Sequence, residues 1–68
     1  MNTMTKSQLH HIFIEIHDSW GQHGSFLTAF AETYINADYA NELLLRQAAQ
    51  TLVEKYNLEK YLDNYKGE

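Results

Sequence analysis

Residues 42–56, ELLLRQAAQTLVEKY, carry the sequence feature that most narrows the possible folds. Leu45, Ala48, Ala49, Leu52, Val53 and Tyr56 recur at i, i+3, i+4, i+7, i+8 and i+11. At 3.6 residues per turn, that spacing lays them along one side of a helix. Arg46, Gln47, Gln50 and Glu54 take the other side. Ala48 and Ala49 leave a low waist in the apolar stripe, where a second helix can approach closely. This pattern makes residues 42–56 the expected central helix of the fold, with the other helices packed on its stripe.

The remaining chain must cover that stripe with little material. A chain of 68 residues is one domain, and at this size it buries only about 60% of its unfolded surface. Such a core alone contributes roughly 3–5 kcal/mol. There is no cysteine, so neither a disulfide nor a thiolate zinc site can staple the fold. Close helix packing, oligomerisation or a partner protein remain as sources of stability. The absence of cysteine also fits a reducing compartment.

Two further helices are expected ahead of this one. Thr5 and Gln8 match a capping box, and Leu9, Ile12, Phe13, Ile16 and Trp20 then follow a helical stripe. Helix 1 is read over residues 6–19. A strand competes for the same stretch, because Ile12, Ile14 and Ile16 alternate with Phe13, Glu15 and His17. The chain offers no second strand, so a strand here would pair with another molecule. Gly21 or Gly24 can supply the positive φ that ends helix 1, and Ser25 is a good N-cap for helix 2. Phe26, Leu27, Phe30, Ala31 and Tyr34 form the stripe of helix 2, which runs to about Asn36. A tight turn at residues 36–38 follows, with Asp38 or Asn41 capping helix 3.

Past Tyr56 the apolar phase changes. The stripe would next meet Glu59, Lys60 and Asp63, while Leu58, Tyr61, Leu62 and Tyr65 lie on roughly the opposite face from Leu52 and Val53. Either the chain breaks at Asn57 and a short fourth helix turns back onto the core, or the helix continues and offers a second apolar face to another molecule. The expected fold is an all-α single domain over residues 1–68: three helices plus a short C-terminal helix, with residues 1–4 and 66–68 frayed.

Several function classes lack their residues. The net charge is −4, and the basic residues Lys6, Arg46, Lys55, Lys60 and Lys66 are scattered, so no phosphate-backbone footprint exists and no nucleic acid is expected. The N-terminal MNTMTKSQLHH lacks the apolar run of a signal peptide, and no stretch has the roughly 18 apolar residues that span a bilayer. A cytoplasmic location is the expectation, without membrane association. His10 and His17 lie about 10.5 Å apart along a helix, too far to share one metal ion. His11 and Glu15 stand at i, i+4, but only His23 or Asp18 could complete a ligand set. His17, Asp18 and Ser19 are the residue types of a hydrolytic triad, yet adjacent helical positions point apart and form no relay. No glycine-rich phosphate loop occurs. No catalytic residue, metal or cofactor is therefore expected.

Aromatic residues make up 13% of the chain. Phe13, Trp20, Phe26, Phe30 and Tyr34 are at core spacing. Tyr39, Tyr61 and Tyr65 fit the core less easily, and tyrosine offers large contact area at low entropic cost. They either close the bottom of the bundle or bind a partner. The candidate partner-binding surface is Tyr39, Leu58, Tyr61, Leu62 and Tyr65, rimmed by Glu59 and Asp63.

The motifs FLTAFAETYINAD and LLRQAAQTLVEKYNL, within residues 24–58, resemble small helical proteins of phages and mobile elements. The resemblance covers about half the chain and does not extend to helix 1. It brings no catalytic residues. It implies that a small acidic protein of this kind binds a host protein, for example as an inhibitor of a defence system, by steric occlusion. The alternative is a homodimer with a structural or regulatory role, paired through the same C-terminal surface. A histidine and glutamate metal-binding protein is a remoter alternative.

Overall fold

The computed structural model describes residues 4–19 and 23–65. Three α-helices, α1 (Lys6–Asp18), α2 (Gly24–Ile35) and α3 (Tyr39–Tyr56), are followed by a short 3₁₀ helix (Leu58–Asn64). No strand occurs among the described residues, so the all-α bundle with a short C-terminal helix is the fold.

Local chemistry sets where α1 begins. Gln8 N donates to Thr5 Oγ1 at 3.1 Å and Thr5 N donates to Gln8 Oε1 at 2.9 Å, which closes the capping box. Leu9, Ile12, Phe13 and Ile16 then lose all solvent access. Ile14 stays 44% exposed, although a strand would align it with Ile12 and Ile16. The helical reading therefore holds: i, i+3, i+4, i+7 is the pattern that reaches the core. Trp20 and Gly21 lie outside the described residues.

In α2, Gly24 rather than Ser25 begins the helix, with φ +79°. His23 holds the N-cap position without a side-chain hydrogen bond, and Ser25 sits inside the first turn. Leu27, Ala31 and Tyr34 are buried. Phe30 is partly buried, edge-on to Phe13 at 5.3 Å and stacked on Tyr34 at 6.1 Å. Phe26, expected in the core, is 59% exposed. One helical step of about 100° from Leu27 carries it off the inward line.

Asp38 caps α3, with Oδ1 accepting from Asn41 N at 2.9 Å. The helix accordingly starts at Tyr39, most of a turn before residue 42. Its fully buried line is Glu42, Ala49 and Val53, rotated roughly 60° from the expected stripe. Leu45 and Leu52 become half-buried flanks, while Ala48 and Tyr56 are exposed. Consequently α3 is not the central element. That place belongs to α1, which supplies four of the fully enclosed core side chains and packs most extensively, against α2 and the 3₁₀ helix. Large aliphatic side chains bury more area than the alanines of α3, so they settle which helix lies innermost.

Asn57 ends α3 in the left-handed region, φ 57° and ψ 48°, with its N–H donated to Val53 O. The chain breaks there and turns back, so Leu58 enters the core at 2% exposure. Asparagine adopts this conformation at lower cost than most other residues with a Cβ, because its short polar side chain can hydrogen-bond locally. Asn57→Ala should lower stability by about 1 kcal/mol and Asn57→Gly should leave it nearly unchanged. Urea unfolding of both variants checks this; equal loss in the two would mean that the side chain, not the φ, is what matters.

Candidate functional site

Two features of this bundle go beyond packing: a polar cluster under α3 and an uncharged face across α2 and α3. The cluster follows from the rotation of α3, which turns Glu42 inward with no accessible surface. Tyr34 OH donates to Glu42 Oε2 at 2.5 Å, Arg46 Nε to the same oxygen at 2.9 Å, and Arg46 Nη2 to Oε1 at 2.6 Å. A buried carboxylate is tolerated when its lone pairs are filled this way. The Arg46 hydrogen bonds, aided by Tyr34 and opposed by burial, hold the Glu42 carboxyl down at about 2. Burial, and then the carboxylate it bonds, push the Tyr34 hydroxyl well above its usual range. The His10 ring lies 5.0 Å from Tyr34. Its Nε2 is enclosed without a hydrogen-bond partner, and burial, with Lys6 nearby, lowers its pKa against the pull of Glu42. The cluster has the character of a structural tie between α2 and α3, since the polar groups of Tyr34, Glu42 and Arg46 serve one another.

The second feature lies on the outer side of α2 and α3. Phe26, Phe30, Leu44, Gln47, Ala48, Thr51 and Leu52 line a hollow of about 530 Å³, open to solvent. A second hollow of about 380 Å³ adjoins it, lined by Thr33, Ala37, Asn41, Leu44 and Leu45. Leu44 borders both and is 78% exposed. No residue lining either hollow is charged. Surface helix faces ordinarily carry charge, and this one, lined by apolar and uncharged polar side chains, is a candidate contact surface.

The residues expected to bind a partner are placed differently. Leu58 is buried, and Tyr61 and Leu62 pack against the core. Tyr61 is held at both ends: its carbonyl oxygen lies 3.0 Å from His11 Nε2 and its hydroxyl 2.5 Å from His23 Nε2. Tyr65 is half-buried with its ring edge-on to His11 at 5.3 Å, and its hydroxyl is enclosed without a hydrogen-bond partner. These four residues lie together on the 3₁₀ helix and its C-cap. Tyr39 does not join them. It opens α3, about 27 Å up the helix from Asn57, is 68% exposed, and has Lys6 Nζ 5.8 Å over its ring.

The candidate metal and triad residues also serve one another and the fold. His11 Nε2 lies 3.8 Å from Glu15 Oε2 as well as near the Tyr61 carbonyl. Ser19 Oγ donates to the Glu15 carbonyl at 2.7 Å. No group of three or more histidine, aspartate or glutamate side chains among the described residues could hold a metal ion. No helix among them is long and apolar enough to cross a membrane. Set against protein families, curated proteins and solved structures, the chain matches none.

Leu44 escaped the sequence reading, although a signal was present. Three consecutive leucines at 43–45 span about 200° of a helix, so at least one must face solvent. The outward stripe Ala40, Leu44, Ala48, Thr51 carries no charge, in a chain that is 21% charged.

Proposed function

We propose that this protein is a non-enzymatic protein-binding module whose docking face is the outer side of α2 and α3. The observation that carries the reading is the uncharged double hollow bordered by Leu44 and Phe26, the two apolar side chains left most exposed beside it. Burial of large apolar anchors within a water-excluding rim is how such faces gain affinity. Steric occlusion then needs no chemistry beyond the contact. The resemblance of residues 24–58 to proteins of phages and mobile elements suggests inhibition of a host protein as the setting. The C-terminal tyrosines support this role less, because Tyr61 and Leu62 are engaged with the core.

The test compares three tagged baits, wild type, Leu44→Glu and the pair Tyr61→Ala/Tyr65→Ala, in capture of protein prey from host extract. Leu44→Glu should keep full helicity by circular dichroism and reduce prey recovery at least tenfold. The tyrosine pair should instead lose helix content. Undiminished recovery with Leu44→Glu would sink the α2–α3 face as the docking surface.

A further inference from the structure

We infer that the occupant of the α2–α3 face is a second copy of this chain, paired through α3 against α3 in antiparallel register. The inference rests on the reading of that face as a docking surface, and three observations point to a like partner.

The first is charge. The chain carries net charge −4, so a partner selected electrostatically would be basic and would be met by carboxylates. The face has none: from Ala40 to Thr51, about 17 Å of helix, the outward stripe is Ala40, Leu44, Gln47, Ala48 and Thr51, all exposed and uncharged. In the same stretch Glu42 is buried and bound to Arg46. Two like-charged copies can pair only where their charges stay outside the contact, which this face achieves.

The second observation is shape. A two-fold interface must be complementary to itself, so a protrusion and a recess have to lie on the same patch. Leu44 protrudes at 78% exposure. Ala48, one turn further and about 6 Å along the axis, is a small side chain lining the larger hollow. A two-fold axis midway between them sets Leu44 of each copy over Ala48 of the other. The same register sets Thr51 against Asn41, an uncharged polar pair, both exposed.

The third observation is size. A standard interface takes roughly 800 Å² from each partner, about a sixth of the 4597 Å² this chain exposes. The chain measures 27 × 24 × 21 Å, so one side of the molecule suffices. A second copy would also cover α3, the helix least enclosed by its own chain, and so supply the staple that a small domain without cysteine lacks.

The test uses the full chain. Sedimentation velocity up to about 500 µM should show a concentration-dependent dimer, with Leu44→Glu weakening association roughly 30-fold or more while circular dichroism stays unchanged. Because the chain has no cysteine, register can be read by oxidation. An equimolar mixture of Leu44→Cys and Ala48→Cys should form the mixed 44–48 disulfide in preference to either self-pair, because only that pairing brings the two Cα atoms within about 7 Å. Leu44→Gln serves if the glutamate variant fails to fold. A dimer that persists in Leu44→Glu and cross-links without preference overturns the proposed pairing. A wild type that stays monomeric, with Leu44→Glu still losing capture of a different protein, overturns self-pairing and leaves the docking face standing. A monomer in which Leu44→Glu changes nothing removes both.

Discussion

Phe13→Ala should leave most of this protein unfolded at room temperature. Phe13 has no solvent access and lies mid-way along the innermost helix. Its ring meets Phe30 edge-on at 5.3 Å and Tyr34 edge-on at 5.5 Å, so its removal empties the point where α1 and α2 meet. Truncating a buried phenylalanine costs about 3–5 kcal/mol. A domain this small has about that much stability in total. Collapse of the neighbours is restricted, because Tyr34 is tied to Glu42 and cannot swing into the gap without breaking that bond. Urea titration followed by circular dichroism reads the result directly. Phe13→Leu, which keeps most of the volume, should cost under about 1.5 kcal/mol. If Phe13→Ala unfolds at the wild-type midpoint, the core is not where the structure places it.

Removing the Glu42 carboxylate should have the next largest effect. Glu42→Ala leaves the Tyr34 hydroxyl and the Arg46 guanidinium without their acceptor. The cover over the pair is thin, since the Arg46 side chain keeps 36% of its surface exposed. Solvent therefore screens the pair, and the loss is about 2 kcal/mol, below the range for a deeply buried one. The carboxylate also makes stability depend on pH. Its folded pKa, about 2, lies below the ordinary 4.5, so the folded state favours the ionised form. That contribution is complete above about pH 4.5 and is lost as pH falls through the window down to about pH 2. Wild-type stability should decline across this window, and Glu42→Gln should flatten the part of the decline that belongs to this group. Parallel curves for the two proteins would show that the acid sensitivity arises elsewhere.

Much of the architecture was legible because it is local. The Thr5 and Gln8 capping box involves atoms three residues apart, so the sequence contains the whole interaction. Leu9, Ile12, Phe13 and Ile16 were read in the correct phase because four large apolar side chains on one arc leave no other rotation of the helix. The phase change after Tyr56 was legible but allowed either a break at Asn57 or a continuous helix with a second apolar face; the left-handed Asn57 and the buried Leu58 decide for the break. The phase of α3 was another matter. Ala48 and Ala49 are both small, so which of them faces inward changes the buried area little. Phe26 was misread because it lies one helical step from the buried Leu27, and only the packed bundle shows that this step leaves it 59% exposed.

By itself, then, the sequence determined the number of helices and the capping box that opens α1, both set by contacts within a few residues. The tertiary structure alone decided that α1 rather than α3 lies innermost. It also decided that Glu42 is inside and that Leu44 is outside. A glutamate reads as surface until an acceptor-seeking Tyr34 hydroxyl eight residues earlier and Arg46 one turn later converge on it. Satisfying that carboxylate fixes the rotation of α3, and the same rotation exposes the uncharged stripe on its far side.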